Sequence, residues 1–393
     1  MNFRQHVLLP LIASSLMLSP MLPSSAANAA ASPTSQKAAP AKAQKKKAVA
    51  RKARDKARAK PAQKSAAPKI DYAGKQVDLA QWDSVALFAD DMVRRHGYAR
   101  EEIDALIAQV RFIDSAVQLV KPMPPGKPKN WQVYQGRFVE PIRIKAGVRF
   151  WDAHAELLAR AEAEYGVPAE IIVGIIGVET IYGRDTGRFR VMDVLATLAF
   201  AYPDTPNREA RMAFFRSELE NTLLLARKFN SDPFELRGSF AGAIGMPQFM
   251  PGNILKLGVD FDGDGAIDIR QSAADAIGSV ANFLVEHGWR RDQPGALAYP
   301  AKVSDDGRWE KFINAGLSAS STAEELALAG VTSPASLPAG ERFGLVDLQN
   351  GFDPTEYWLG TDNFFAITQY NRSYFYAMSV INLGRAVRQA RGA

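Results

Sequence analysis

Glu179 is the only charged residue between Glu170 and Arg184, and it ends the apolar run Ile171-Ile172-Val173-Gly174-Ile175-Ile176-Gly177-Val178. A carboxyl among so many apolar groups favours its neutral form, so its pKa should rise. A raised carboxyl pKa is what a general acid needs to protonate the leaving oxygen of a glycosidic bond. Gly177 and Gly183 flank it and would let a large substrate come close. The competing reading is a buried structural glutamate paired with Arg184 or Arg188.

Three further clusters could serve such chemistry. In Gly238-Ser239-Phe240-Ala241-Gly242-Ala243-Ile244-Gly245-Met246-Pro247-Gln248-Phe249-Met250-Pro251, glycines permit tight turns and close ligand approach. Ser239 and Gln248 offer neutral hydrogen bonds there, and Phe240, Met246, Phe249 and Met250 offer apolar faces. That mixture suits a sugar, although a loop made only for packing fits equally. In Asp260-Phe261-Asp262-Gly263-Asp264-Gly265-Ala266-Ile267-Asp268-Ile269-Arg270-Gln271, the spacing is that of an EF-hand loop. Asp260, Asp262 and Asp264 fill its first three ligand positions, Ala266 gives a carbonyl and Asp268 follows. Gln271 stands where a bidentate Glu is expected, so affinity should fall; the alternative is an acidic turn without metal. Any Ca²⁺ here would be structural, and no cofactor is required for the chemistry. In Gln369-Tyr370-Asn371-Arg372-Ser373-Tyr374-Phe375-Tyr376, aromatics alternate with amides, as sugar stacking and hydrogen bonding would use, or as an amphipathic core helix would show.

The elements that must hold these residues read as mainly helical. Apolar spacing predicts two helices within Asp78–Leu106, then a Pro/Gly/Lys loop over Pro122–Asn130. One long helix is expected over Arg143–Tyr165, ended by Gly166-Val167-Pro168, which also begins the next. Ala169–Ile181 should be a core helix. Further helices are expected over Val191–Phe200, Arg208–Lys228 and Ala274–His287. Between Ala298 and Gly360, runs such as Phe343-Gly344-Leu345-Val346-Asp347 look like strands among turns, and Phe364–Arg388 returns to helix. The fold class is therefore mainly α (α+β), with a small β-containing insertion.

The composition sets outer bounds. The chain has 393 residues, 47% of them apolar and 23% charged, which is ordinary for a globular protein. It has no Cys, which excludes thiolate catalysis, Cys-ligated zinc, iron–sulfur clusters and a lipid on Cys. The net charge of +6 is not a property of the folded part. Segment 32–69 holds 13 Lys/Arg and one acid, and Arg4 precedes it, leaving 34 bases against 41 acids, a balance of −7, in 70–393. A nucleic-acid partner is therefore not indicated.

Arg4, an apolar run from Val7 to Leu22 and Ala27-Asn28-Ala29 read as a cleaved signal peptide over 1–29, implying a periplasmic protein. The competing reading is a transmembrane anchor, for which the run is short and interrupted by Pro10 and Pro20. Segment 30–69, rich in Ala, Lys and Pro, cannot bury enough surface to offset its ordering entropy and reads as a disordered basic linker. It would serve as a solvated tether or be drawn to an anionic envelope surface.

Together these blocks resemble the lytic murein transglycosylase B family. Tyr165-Gly166-Val167-Pro168, Ile171–Gly183, Asp193–Phe200, the Gly238–Pro251 run, the Asp-rich loop, Asp275–Asn282 and Tyr370–Tyr376 occur in the family's order, over roughly 75–390. The resemblance implies a catalytic domain over 70–393. Its parts would be a helical subdomain at 70–140, a lysozyme-like core at 141–292 and 361–393, and the β-containing part at 293–360. It implies cleavage of the MurNAc-GlcNAc bond in peptidoglycan glycan strands with formation of 1,6-anhydro-MurNAc. Glu179 would be the single acid/base, and the substrate's own N-acetyl group would replace a second carboxylate, as in substrate-assisted glycosidases. Ser239 would orient Glu179 or bind an acetamido group, and Gln248 would hold the sugar. Tyr134, Phe249, Tyr370, Asn371, Tyr376 and Arg211 would line the groove. The missing lipid-accepting Cys implies a soluble periplasmic form, with peptidoglycan and proteins of the cell-wall machinery as partners. Two alternatives remain at this level. A lysozyme-type hydrolase would need a second carboxylate, for which Asp185 and Asp193 are nearest. A non-catalytic peptidoglycan-binding protein would need none.

Overall fold

The computed structural model describes residues 70–122, 128–313 and 315–392. The expected signal peptide, the basic linker and the middle of the Pro122–Asn130 loop lie outside them. Asp71–Ala393 falls within one compact unit.

The chain begins with strand β1 (Lys75–Gln76), helices α1 (Asp83–His96) and α2 (Arg100–Ile107), strand β2 (Arg111–Phe112) and the short helices α3 (Asp114–Leu119) and α4 (Trp131–Gln135). Then come α5 (Pro141–Ala153), α6 (Ala155–Tyr165), α7 (Ala169–Thr180), β3 (Phe189–Arg190), α8 (Val191–Phe200) and α9 (Arg208–Lys228). Strand β4 (Arg237–Gly238), α10 (Pro251–Leu257) and α11 (Ala273–Glu286) complete the central helices. A β-rich stretch holds β5 (Ala298–Val303), β6 (Ser321–Thr322), α12 (Ala323–Leu328), β7 (Val331–Thr332), β8 (Arg342–Asn350) and β9 (Asp353–Gly360). Helices α13 (Asp362–Tyr370) and α14 (Tyr374–Arg391) return to the helical body.

Helix α7 is the centre of the core. Every residue from Ile171 to Thr180 is buried, so the helix can only exist wrapped on all sides. Each fully buried Ile or Val contributes about 1.5–3 kcal/mol of transfer free energy. Its closest partner is α14, and two glycines set that closeness. A Cβ on Gly174 would lie 2.4 Å from the Val380 carbonyl oxygen, and one on Gly384 would lie 2.2 Å from that of Glu170. Helix α8, also buried throughout, packs on α9.

Strands β5 to β9 form an antiparallel sheet in the order β6-β8-β9-β5-β7. One face covers a small core of Tyr299, Leu326, Val331, Phe343, Leu345 and Leu359. The sheet is tied to α4 by Asn350, whose side-chain oxygen accepts from the Gln132 amide at 3.1 Å.

Two expectations need correction. The helix expected over Arg143–Tyr165 is broken at His154 (φ −127, ψ 27), whose backbone N–H is shared between the Phe150 and Trp151 carbonyls. The helix expected over Phe364–Arg388 is broken by extended Asn371 (φ −150, ψ 114), and Ser373 caps the restart. The apolar spacing runs in phase across both breaks, so periodicity alone could not show them.

Candidate active site

Helix α7 ends one residue past Glu179. Ile181 (φ 53), Tyr182 (φ 59) and Gly183 (φ 81) follow in the left-handed region. Two non-glycine residues in succession there, one of them β-branched, are costly and persist only if the surroundings over-determine them. They do: the Ile181 amide donates to Gly177 O (3.2 Å), Tyr182 to Ile176 O (3.3 Å) and Gly183 to Thr180 Oγ1 (2.9 Å). The Thr180 hydroxyl donates in turn to Met246 O at 2.8 Å, fastening the turn to the glycine-rich loop.

The Glu179 side chain is 7% exposed. The Tyr376 hydroxyl, from the first turn of α14, donates to its Oε1 at 2.6 Å. Burial pushes the carboxyl up from its usual 4.5 to about 7, against the opposing pull of Tyr376 and the Arg143 charge. The pairing with Arg184 or Arg188 is not formed among the described residues; the nearby cation is Arg143 of α5. Arg143 is itself buried. Its Nε donates to Gly177 O at 2.8 Å and its Nη1 to Arg137 O at 2.7 Å, so it holds α7 two residues ahead of Glu179.

Tyrosines surround the carboxyl. Tyr370 ends α13, donates to Pro247 O at 2.5 Å and stacks on Tyr376 with ring centroids 6.2 Å apart. The phenols of Tyr134, Tyr370 and Tyr376 are all pushed upward, first by burial and then by the Glu179 charge. Tyr134 packs edge-on against Phe375 at 5.4 Å. The tyrosines of the Tyr370–Tyr376 run thus do not share one amphipathic helix face; they bracket the break between α13 and α14, which turns two of them toward Glu179.

The glycine-rich loop is a chain of tight turns, with single bridges from Gly238 to Ile244 and from Ile244 to Phe249. Ser239 is 1% exposed, and its Oγ accepts from the Ala241 and Ala243 amides (3.2 and 3.1 Å). Its observed bonds brace the loop, and the hydroxyl that reaches Glu179 is Tyr376. Gln248, at φ 52, donates its amide to Gly245 O and Thr186 O, which leaves its side-chain carbonyl as an acceptor. Phe249 is 1% exposed, packed against Phe283 and Tyr370, and offers no open face to a sugar. Arg211 is buried in α9 with its guanidinium over Tyr202, Phe214 and Phe215. Asn371 is half-buried at the helix break.

The second carboxylate that simple hydrolysis would require finds a poor candidate in Asp193. Its Oδ1 accepts from the Arg111 amide (2.9 Å), and Arg190 Nε lies 2.8 Å from its Oδ2. It is a structural brace between β2 and α8.

In the Asp-rich loop, ligand atoms of Asp260, Asp262 and Asp264 lie within 4.8 Å of one another. Asp260 accepts from the Gly263, Asp264 and Gly265 amides, so the loop already curls about that carboxylate. Asp268 accepts from the Arg270 and Gln271 amides. Hard carboxylate oxygens on such a curl fit Ca²⁺, which these residues and the Ala266 carbonyl would hold. Asp275, fully buried, accepts from the Phe261 and Asp268 amides on either side and ties the loop to α11.

Sequence reasoning missed Arg143 and Tyr182. The clue was present: Arg143, Gly147 and Phe150 recur at helical spacing on one face, a pattern that buries a cation. Tyr182 stacks on Phe150 (5.1 Å) and fills the space left by Gly147 and Gly177.

A single buried carboxyl with a pKa near neutrality, ringed by tyrosines at the end of a core helix, is the equipment of a glycan-cleaving enzyme with a lysozyme-like helical body. Residues 80–385 match the family described as Transglycosylase SLT domain, and the chain belongs to that family. It is 41% identical over 324 residues to the membrane-bound lytic murein transglycosylase B of Escherichia coli, covering 80% of this chain and 85% of that protein. Among solved structures it resembles soluble lytic transglycosylase SltB1 from Pseudomonas aeruginosa at 44% identity and TM-score 0.70, covering 79% and 99% of the two chains. It also resembles the E. coli lytic transglycosylase Slt35 in complex with calcium at 38% identity and TM-score 0.70, covering 81% and 97%. The protein is thus a mainly helical lytic murein transglycosylase, and its family needs no cofactor for catalysis.

Proposed function

We propose that this enzyme cleaves the MurNAc-GlcNAc bond of peptidoglycan with Glu179 as its one acid/base. The observation that carries the reading is the buried Glu179 carboxyl, held near pH 7 and hydrogen-bonded by Tyr376. Protonated Glu179 donates to the glycosidic oxygen as the bond to the anomeric carbon breaks. The N-acetyl oxygen of the same MurNAc attacks that carbon and forms a cyclic intermediate. Carboxylate Glu179 then takes the proton of the C6 hydroxyl, whose oxygen displaces the N-acetyl oxygen. The product is the 1,6-anhydro sugar, with no water consumed. The nucleophile is part of the substrate and already near its target, so orientation replaces a second carboxylate. The engagement of Asp193 by Arg111 and Arg190 removes one of the two candidate second carboxylates, and the product decides about the other, Asp185.

Tyr134, Tyr370, Asn371 and the Gln248 carbonyl are the groups proposed to meet the sugar. Ser239, Phe249 and Arg211, each 3% exposed or less, act behind them by fixing the loop and α9. The Asp-rich loop holds a structural Ca²⁺. The N-terminal segment directs export to the periplasm and is then removed; among the described residues no helix is long and apolar enough to cross a membrane.

The test is mass spectrometry of products released from purified sacculi. Wild type should give anhydro-muropeptides, one water lighter than hydrolysed ones. Glu179→Gln should lose about 10²–10⁴-fold in rate, the usual range for a general acid. Reducing-end products, or undiminished release by Glu179→Gln, would overturn the reading.

A further inference from the structure

A circuit of contacts runs around Glu179 and closes through Arg143. The Arg143 backbone is fixed first: the Glu140 carboxylate caps α5 and accepts from the Ile142 and Arg143 amides, both at 2.7 Å. The guanidinium then spans two carbonyls on different segments. Gly177 O lies on α7, two residues ahead of the acid, and accepts from the Ile181 amide as well. Arg137 O lies in the turn that follows α4, where the Arg137 amide donates to Tyr134 O at 3.1 Å. The same guanidinium sits over the Phe138 ring, 5.2 Å from its centroid. Phe138 packs on Tyr134 at 5.1 Å and Tyr134 on Phe375 at 5.4 Å. Phe375 precedes Tyr376, whose hydroxyl returns to Glu179. The acid and the Tyr134 wall are therefore joined from two sides, through Tyr376 and through Arg143.

Packing alone does not call for an arginine at this position. The side chain is buried, and desolvating a guanidinium is costly, so an apolar residue of similar volume would serve a core as well. The Glu140 carboxylate is 3.9 Å from Nη1 and already engaged by two amides. What the guanidinium adds is geometry and charge. Its planar fork holds two acceptors at once, which the compact ammonium of a lysine does not reproduce. Its charge acts on Glu179, and the other titratable groups that face that carboxyl are the neutral phenols of Tyr376 in α14, Tyr370 in α13 and Tyr134 in α4. Tyr182 and Asp185, in the turn after α7, face Arg143 itself.

We propose that Arg143 is a positioning residue, which fixes the Tyr134 wall of the groove relative to Glu179 and supplies the positive charge beside the acid. The inference rests on the proposed role of Glu179 and adds a residue, behind the site, on which both its geometry and its proton affinity depend.

Two variants separate the fork from the charge. Arg143→Lys keeps the charge and gives up the fork, and Arg143→Gln gives up the charge. Both should lower kcat on purified sacculi by about 10- to 100-fold, the cost of misplacing groups around a reacting bond. Rates are referred to folded protein, measured by circular dichroism. The Glu179 titration is followed without substrate by carboxyl ¹³C NMR, its signal assigned by its absence from Glu179→Gln. It should stay near 7 in Arg143→Lys and move to higher pH in Arg143→Gln, because the lost cation favoured the carboxylate. A residue that only stabilised the fold would lower the folded fraction and leave the titration in place. Arg143→Met, which keeps the apolar stem, stands in if Arg143→Gln does not fold. Wild-type kcat in Arg143→Lys, or an unmoved Glu179 titration in the charge-removed variant, overturns the proposal. Undiminished cleavage by Glu179→Gln would instead strike the proposed reaction, and the titration would still decide what Arg143 does to that carboxyl.

Discussion

At the scale of single residues, the site is a balance around one carboxyl. Burial drives Glu179 toward its neutral form, and Tyr376 and Arg143 pull it back, leaving it near 7. A general acid must start protonated, so kcat should fall as pH rises through about 7. Tyr376→Phe removes a bond that favours the ionised form, so this limb should move to higher pH as activity drops; pH–rate profiles of both proteins check it. An unmoved limb would mean that Tyr376 does not tune the acid. The same shift has a stability consequence. Because the folded pKa is raised above the usual 4.5, the neutral group's stability is fully present below pH 4.5 and lost as pH rises through 7. Glu179→Gln cannot ionise. Relative to wild type it should gain stability between pH 4 and pH 8, by up to about 3 kcal/mol. Denaturant unfolding at the two pH values measures that gain, and a constant difference would contradict it. The burial of Glu179 and its raised pKa were legible in the sequence, because a lone carboxyl in an apolar helix must be desolvated. Tyr376 was legible only as a groove residue, and Arg143 only as a member of a buried helix face, not as the cation beside Glu179. Both act across helices brought together by tertiary packing.

At the scale of elements, the geometry of the acid depends on how closely α7 and α14 approach. Alanine normally stabilises a helix interior relative to glycine by about 1 kcal/mol. At Gly384 the sign should reverse, because the new Cβ would lie 2.2 Å from the backbone oxygen of Glu170, which cannot swing aside. Gly384→Ala should destabilise by about 1–3 kcal/mol net of propensity. It should also lower kcat by displacing Tyr376 from Glu179. Thermal unfolding and turnover measured together check this, and a stabilised variant would refute the close-packing account. Most helices could be read from the sequence because burial repeats every three or four residues. The breaks at His154 and Asn371 could not, since each depends on the dihedral angles of one residue while the apolar stripe continues. The strands could be recognised as short apolar runs, but their order in the sheet could not, because pairing is decided between distant segments.

At the scale of the whole molecule, the acidic body and its Asp-rich loop invite a cation. Millimolar Ca²⁺ should raise the melting temperature by an amount equivalent to about 1–2 kcal/mol, modest because Gln271 supplies no bidentate carboxylate. Asp262→Asn should abolish that increment. Equal melting with Ca²⁺ and with a chelator would exclude a site of this strength. The sequence identified the loop from spacing alone, as ligand positions in a contiguous loop need no tertiary information.

The hydrogen bond between Glu179 and Tyr376 joins residues 197 positions apart. A chain that ends with α7 therefore carries the carboxyl without its partner, in a helix covered by α5 and α6 but not by α14. With Glu179 in its proposed role, fragments that end before Tyr374 lack both the phenol that bonds the acid and the helix that packs most closely on α7, and they should be inactive.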